Sequence, residues 1–344
     1  MRVLLTVDPE IPVPPRLYGG IERIVDNLTA ELRSRGCVIG LIANPESTSE
    51  VEEFFPWIDA CSGGWKNGLR NSVILRRAVR VFRPDVIHSF SRLGYLLPVL
   101  PFALPKVMSY QRYTGGRQIK IGAMLAGKSL VFTGCSEFVA NMGRPWGGDW
   151  CAVHNFTDTT YYQFAPTVEA DAPLLFLSRI ERIKGAHLSI DIARRAGRRL
   201  LIAGNQVKNG EGPAYWRNEI EPHIDGCNVE YMGPVDNAQK RELLRRAAAL
   251  VVPIEWGEPF GIVFVEALAC GTPVISCPRG ALPEIIEHRQ QGFLINSVAE
   301  GVEAVQQLGT ISRLACRRRA EQHFSVQVVA SQYEQIYRQM MSRT

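Results

Sequence analysis

Short runs of consecutive apolar residues alternate along this chain with longer stretches whose apolar positions recur every three or four residues. VLLTV (3–7), VIGLIA (38–43), DVIHSF (85–90), KVMSY (106–110) and LVFTGCS (130–136) have the length and apolar continuity of strands buried on both faces. After the first run, a Pro/Gly loop leads into a helix opening near Gly20 and continuing through IERIVDNLTAELRSRG. There Ile21, Ile24, Val25, Leu28 and Leu32 share one face, and Gly36 is placed to end the helix. A loop-like stretch over 157–173 interrupts the pattern, which then restarts with LLFLS (174–178), RLLIAGN (199–205), VEYMG (229–233), ALVVPIE (249–255) and TPVISC (272–277). The last stretch, 326–340, is amphipathic with helical spacing.

Strands alternating with helical stretches call for parallel sheets covered by helices on both faces. Two such series joined by a polar linker predict an α/β protein of two doubly wound, Rossmann-like domains facing across a cleft. The expected boundaries are 1–165 and 166–325, with the helix 326–344 packing back on the first domain.

Composition narrows the picture. A 344-residue chain with 46% hydrophobic and 21% charged residues is globular and long enough for two cores. Its eight cysteines are scattered without a CxxC or a His/Cys cluster, which argues for reduced thiols in a cytoplasmic compartment and against a structural zinc site. The opening MRVLLTVDPEIPVPP reads as a first strand and not as a signal peptide. The most apolar stretch, 93–105, is short and broken by Pro98, Pro101 and Pro105, so no segment reads as a membrane span.

The net charge of +5 is mild and sits in the first half, where residues 1–160 carry 18 Lys+Arg against 14 Asp+Glu. The basic run 76–83 reads as a solvated helix face, or as a patch for anionic head groups at the inner face of a membrane or for an acidic acceptor. Nucleic acid is not among the expected partners. No GxGxxG follows either first strand, which counts against a nicotinamide cofactor.

The chemistry concentrates in EWGEPFGIVFVEALACGTPVI (255–275). A strand ends in a loop with Gly257, Pro259 and Gly261, and a helix begins near Ile262. The unpaired amides of such a helix start suit a phosphate or a sugar hydroxyl. Glu258 lies in the loop and Glu266 about two turns further on, a spacing that lets both carboxylates grip separate hydroxyl pairs. Taken singly, each glutamate is more commonly a surface charge. In LSRIERIKG (177–185), Arg179 and Lys184 leave one strand together, a pairing that neutralises a diphosphate; Glu181 and Arg182 between them read as solvated. In YGGIER (18–23), Gly19 and Gly20 precede a helix, which permits close approach of the backbone to an anion but is also common as a mere turn.

These segments resemble the signature of family 4 of the retaining glycosyltransferases, whose fold is the two-domain GT-B type. The match is Glu258-Pro259-Phe260-Gly261-Ile262-Val263-Phe264-Val265-Glu266, with Arg179 and Lys184-Gly185 and the Gly19-Gly20 pair in register. The resemblance implies that Glu258 contacts the transferred sugar, Glu266 holds the ribose hydroxyls, and the backbone of Phe260, Gly261, Ile262 and Val263 faces sugar and diphosphate. It further implies that Arg179 and Lys184 stabilise the leaving phosphate, Gly19 and Gly20 touch it from the first domain, and Gly233 lies near the base. PIxWxEPFG after QKRELL is similar to bacterial members that decorate antibiotics or surface saccharides, the avilamycin-pathway-like subgroup.

One departure stands out. Where many members carry a histidine near the anomeric centre, VMSYQRYTGG offers Gln111, beside Arg112 and Tyr113; His88 follows an earlier strand and reads as structural. The expected activity is a hexosyl transfer from a UDP- or GDP-linked sugar to an acceptor hydroxyl in glycan, glycolipid or natural-product synthesis. The nucleotide sugar is a co-substrate, with no further cofactor and, lacking a DxD-like pair, no metal. A sugar-nucleotide epimerase or phosphorylase, or a non-catalytic nucleotide-sugar-binding protein, would share the plan. The intact Glu258/Glu266 and Arg179/Lys184 sets favour the transferase.

Overall fold

The computed structural model describes residues 1–16, 19–58, 60, 65–112 and 116–343. The chain divides into two compact units. One comprises Met1–Phe156 together with the C-terminal helix, and the other Thr157–Ser325.

The first unit is a parallel sheet of β1 (Arg2–Thr6), β2 (Val38–Ala43), β3 (Glu53–Pro56), β4 (Val86–Ser89), β5 (Lys106–Tyr110), β6 (Leu130–Gly134) and β7 (Asp149–Ala152), in the order β3-β2-β1-β4-β5-β6-β7. Helices α1 (Gly20–Ser34), α2 (Trp65–Phe82), α3 (Gly116–Ala126) and α4 (Glu137–Gly143) cover it. Residues Val3, Leu4 and Leu5 of β1 are fully buried, as expected of a strand packed on both faces.

The second unit repeats the plan with β8 (Leu174–Leu177), β9 (Leu200–Ala203), β10 (Val229–Gly233), β11 (Ala249–Val251), β12 (Val274–Ser276) and β13 (Gly292–Leu294), ordered β10-β9-β8-β11-β12-β13. Its helices are α5 (Ala186–Arg195), α6 (Gly212–Tyr215), α7 (Asn237–Arg246), α8 (Ile262–Ala269), α9 (Leu282–Ile285), α10 (Val298–Gln306) and α11 (Arg313–His323). In each sheet the strand order reverses beside the first strand of the series, at β1/β4 and at β8/β11. Ligands of doubly wound folds bind at the carboxyl ends of such strands.

The boundary falls at Phe156, earlier than the expected 165. Residues 157–165 are tied to the second unit by Thr157 N–H to the Phe324 carbonyl (2.9 Å) and Ala165 N–H to the Cys270 carbonyl (3.0 Å). Arg313 also donates to the Ala165 carbonyl at 2.7 Å. The last helix, α12 (Val326–Arg343), packs on α1. There Arg35 donates to Ser331 Oγ (2.6 Å) and to the Gln327 carbonyl (2.7 Å), and pairs with Glu334 (3.2 Å).

Strands β3, β7 and β13 escape the sequence pattern. All three are sheet edges, and β3 and β7 are half exposed, so neither carries a continuous apolar run. Among the described residues, no helix is long and apolar enough to cross a membrane, and the cysteines are free thiols.

Candidate active site

The loops leaving the carboxyl ends of β8 and β11 meet where the second sheet reverses. The first carries Arg179 and, at the end of the single turn Arg182–Lys184, Lys184; the second carries Trp256 and Glu258. The two loops are stitched together by Glu255 N–H donating to the Ile183 carbonyl at 2.9 Å. Lys184 and Glu258, 9% and 7% exposed, form an ion pair with Nζ 2.5 Å from Oε2. The same oxygen accepts from the Trp256 indole N–H at 2.8 Å, and the Lys184 ammonium lies 4.9 Å from that ring's centre. Such burial is tolerated because each charge neutralises the other and the indole satisfies a further lone pair. Ala281 N–H donates to the Glu258 carbonyl at 2.9 Å, so the loop after β12 fixes the backbone at this residue.

From Glu258 the chain turns into α8. Phe260 is buried against Phe324, ring centres 5.9 Å apart, so its side chain anchors the loop and its backbone alone is left for a ligand. Gly261 sits at φ +82°, and a Cβ there would lie 2.5 Å from the Phe264 ring; the turn requires glycine on both counts. No side chain caps α8, so the amides of Ile262 and Val263 present partial positive charge at its start.

Glu266, on α8 and 3% exposed, receives two donors on one oxygen: the Tyr162 hydroxyl at 2.6 Å and the Lys240 ammonium at 2.5 Å, both to Oε1. A capping box sets the start of α7, the helix of Lys240: Asp236 Oδ1 accepts from Gln239 N–H (2.8 Å) and Gln239 Oε1 from Asp236 N–H (2.9 Å). Arg317 fixes Tyr162 by donating to its carbonyl and to that of Ala269, the last residue of α8, at 2.7 Å each. Each glutamate is thus tied through one oxygen. Oε1 of Glu258 and Oε2 of Glu266 make no hydrogen bond among the described residues, which leaves each able to accept from a ligand hydroxyl.

The other expected residues are less closely drawn in. Arg179 is half exposed and pairs with Glu181 at 3.0 Å, while Arg182, expected to be solvated, pairs with Glu219. Gly233 ends β10 at φ +75° and accepts from Gly204 N–H at 2.9 Å. In the first unit, Gly19 and Gly20 open α1. A Cβ on Gly19 would lie 2.5 Å from Pro15 and 2.9 Å from a Glu22 oxygen, so crowding within this turn accounts for that glycine without a ligand. Gln111 follows β5, and its side-chain oxygen is buried without a hydrogen-bond partner among the described residues. Tyr18 and Tyr113 lie outside the described residues. His88 is fully buried, its nitrogens 2.5 Å from the Tyr337 hydroxyl and 2.7 Å from Ser109 Oγ; burial lowers its pKa to about 3 and keeps the ring neutral.

Sequence reasoning missed Trp256, Tyr162 and Lys240. Trp256 stands two residues from Glu258, inside the segment already singled out. Tyr162 is 104 residues from its partner, in what reads as a linker, and Lys240 is 26 away. No local pattern carries either contact.

Comparison with known proteins follows the same division. A family model described as glycosyltransferase family 4 matches residues 18–161, and one described as glycosyl transferases group 1 matches 162–322. Glycogen synthase of Mycobacterium tuberculosis is 26% identical over 98% of this chain and 94% of its own length. The structure of AviGT4, a glycosyltransferase involved in avilamycin A biosynthesis, has a TM-score of 0.75 at 23% identity, covering 100% of this chain and 98% of that one. Anabaena HepE in complex with UDP-glucose has a TM-score of 0.72 at 18% identity, covering 100% of both chains. With one family model over each unit and a GT-B likeness along the whole length, this chain belongs to the family 4 glycosyltransferases.

Proposed function

We propose that the enzyme transfers a hexosyl group from a nucleoside-diphosphate sugar, UDP- or GDP-linked, to an acceptor hydroxyl, with retention of configuration and without a metal ion. The observation that carries this reading is the pair of buried glutamates, each held by a cation and an aromatic side chain through one oxygen and open at the other. Glu258 orients the sugar and Glu266 the ribose diol. The first amides of α8 meet the diphosphate, with Gly233 beside the base. HepE, of the same fold, is seen with UDP-glucose, which supports a uridine donor.

Arg179 and Lys184 act on the leaving group. As the bond from the anomeric carbon to the phosphate oxygen breaks, negative charge builds on the diphosphate, and cations placed there stabilise the transition state more than the ground state. The acceptor oxygen bonds to the anomeric carbon on the face the phosphate leaves, and its proton passes to a phosphate oxygen. Without donor, the Lys184–Glu258 pair keeps either charge from being buried alone. In this reading transfer takes place in the cytoplasm, with glycan, glycolipid or natural-product precursors as acceptors.

The test is an NMR time course with UDP-glucose or GDP-mannose and a panel of sugar and lipid-linked acceptors, in the presence of a chelator. A product that keeps the donor's anomeric configuration supports the proposal. Inversion, strict dependence on added magnesium, or isomerisation of the donor without transfer contradicts it.

A further inference from the structure

Between residues 60 and 136 the chain carries twelve lysines and arginines against one acidic residue, Asp85. The fold gathers much of this charge on one side of the first sheet. The connections β3→β4 and β5→β6 cross it in the same direction, so right-handed crossovers place α2 and α3 on the same face. Both helices pack on the short turn Leu93–Leu96 between them: Ser72 Oγ of α2 is 3.4 Å from the Gly94 carbonyl, and Gly122 of α3 backs directly on Leu93. The connection β1→β2 runs the other way, which puts α1, and α12 on it, on the opposite face.

On α3, Ile121 (41% exposed), Met124 (75%) and Leu125 (41%) form one outward apolar stripe, with Arg117, Lys120 and Lys128 exposed around it. On α2, Arg76, Arg77 and Arg80 point outward beside exposed Val73. Leu97 and Phe102, after the turn, are also more than half exposed. None of these six cations forms an ion pair among the described residues. The acids nearest in sequence are engaged: Asp85 accepts from the Arg2 amide at 2.7 Å, and Glu137 pairs with Arg144 at 2.8 Å.

Large apolar side chains set among unpaired cations on outward helix faces have the chemistry of an interfacial surface. We infer that this face docks on an anionic lipid bilayer, its cations meeting head-group phosphates and Ile121, Met124 and Leu125 entering the head-group/acyl boundary. A nucleic acid would use the cations but has no need of an aliphatic stripe at their centre, and among the described side chains of α2 and α3 no aromatic one is exposed for stacking. This docking goes beyond the transfer reaction, and it places the enzyme where a lipid-linked acceptor would be presented.

The experiment is co-sedimentation of the full chain with phosphatidylcholine vesicles, with and without phosphatidylglycerol. Binding to the anionic vesicles alone is expected, weakening as salt is added. Replacing Arg76 and Arg77 by alanine should lower the partition coefficient roughly 30-fold at low ionic strength. Met124→Glu should lower it while the charge pattern of α2 stays intact. A thermal shift with UDP serves as the folding control for each variant and is expected to be unchanged. Equal binding to neutral vesicles, no binding to either, indifference to both variants, or a preference for a single-stranded oligonucleotide over vesicles would overturn the inference. Because vesicle binding is read without turnover, its failure leaves the transfer reading standing.

Discussion

Replacing Lys184 by methionine keeps the volume of the side chain and removes its charge, which strands the Glu258 carboxylate with only the Trp256 indole as donor among the described residues. Breaking a buried ion pair from one side costs about 3–5 kcal/mol, and the surviving indole bond puts this case near the lower figure, about 3 kcal/mol. Adding Glu258→Gln removes the stranded charge and should return roughly 2 kcal/mol, a coupling that a double-mutant cycle reads directly. Catalysis should behave differently. Loss of a preorganised group at the leaving phosphate lowers turnover by about 10²–10³-fold, and the second substitution cannot restore it. Urea denaturation of the two single variants and the double, alongside release of nucleotide from the donor, separates the effects. Additive stability changes would mean the pair does not exist in the folded enzyme. Unchanged turnover in Lys184→Met would remove Lys184 from the reacting groups.

Three further outcomes follow from other contacts. Tyr162→Phe withdraws one donor from Glu266 and should weaken binding of UDP and of uridine alike, each by about 1 kcal/mol; a loss confined to the diphosphate would place Glu266 away from the ribose. His88 has its pKa lowered from 6.5 to about 3 by burial, so the unfolded chain takes up its proton first. The stability His88 contributes is complete above about pH 6.5 and falls by up to about 1.4 kcal/mol per pH unit towards pH 3; a ring titrating near 6.5 by NMR in the folded protein would contradict this. Asp8, two residues beyond β1, has its pKa raised from 3.8 to about 6, chiefly by burial and next by Glu10. Its ionisation therefore costs stability as pH rises through about 4 to 6, and Asp8→Asn should stabilise the protein at neutral pH by roughly 3 kcal/mol and leave it unchanged near pH 3. Equal effects at both pH values would refute the assignment.

The central strands were legible because a parallel sheet buries both faces, so short, largely apolar runs such as VIGLIA, set between helical stretches, mark strands packed on both sides. Edge strands β3 and β7 pair on one side only, and EFFP and DWCA give no comparable signal. Glu258, Glu266 and Lys184 were legible because each lies in a short segment that must turn at a strand's end, where spacing and chemistry coincide. Their partners were not. Tyr162 reaches Glu266 only because Arg317 ties the 157–165 segment to the end of α8, an arrangement made by the finished fold. The same ties explain why a stretch that reads as a linker belongs to the second unit. Gly19 carries the opposite lesson. A Cβ there would crowd Pro15 and Glu22, so the glycine alone does not distinguish a ligand contact from a tight turn.

A nucleotide-sugar site built on Glu258 and Glu266 is open to a simple titration of the purified enzyme with UDP-, GDP-, ADP- and dTDP-sugars. Saturable binding of one nucleotide class is expected, weakened at least 10-fold, about 1.4 kcal/mol, by Glu266→Ala. Binding of none of the four, or equal binding by the Glu266→Ala variant, would contradict it.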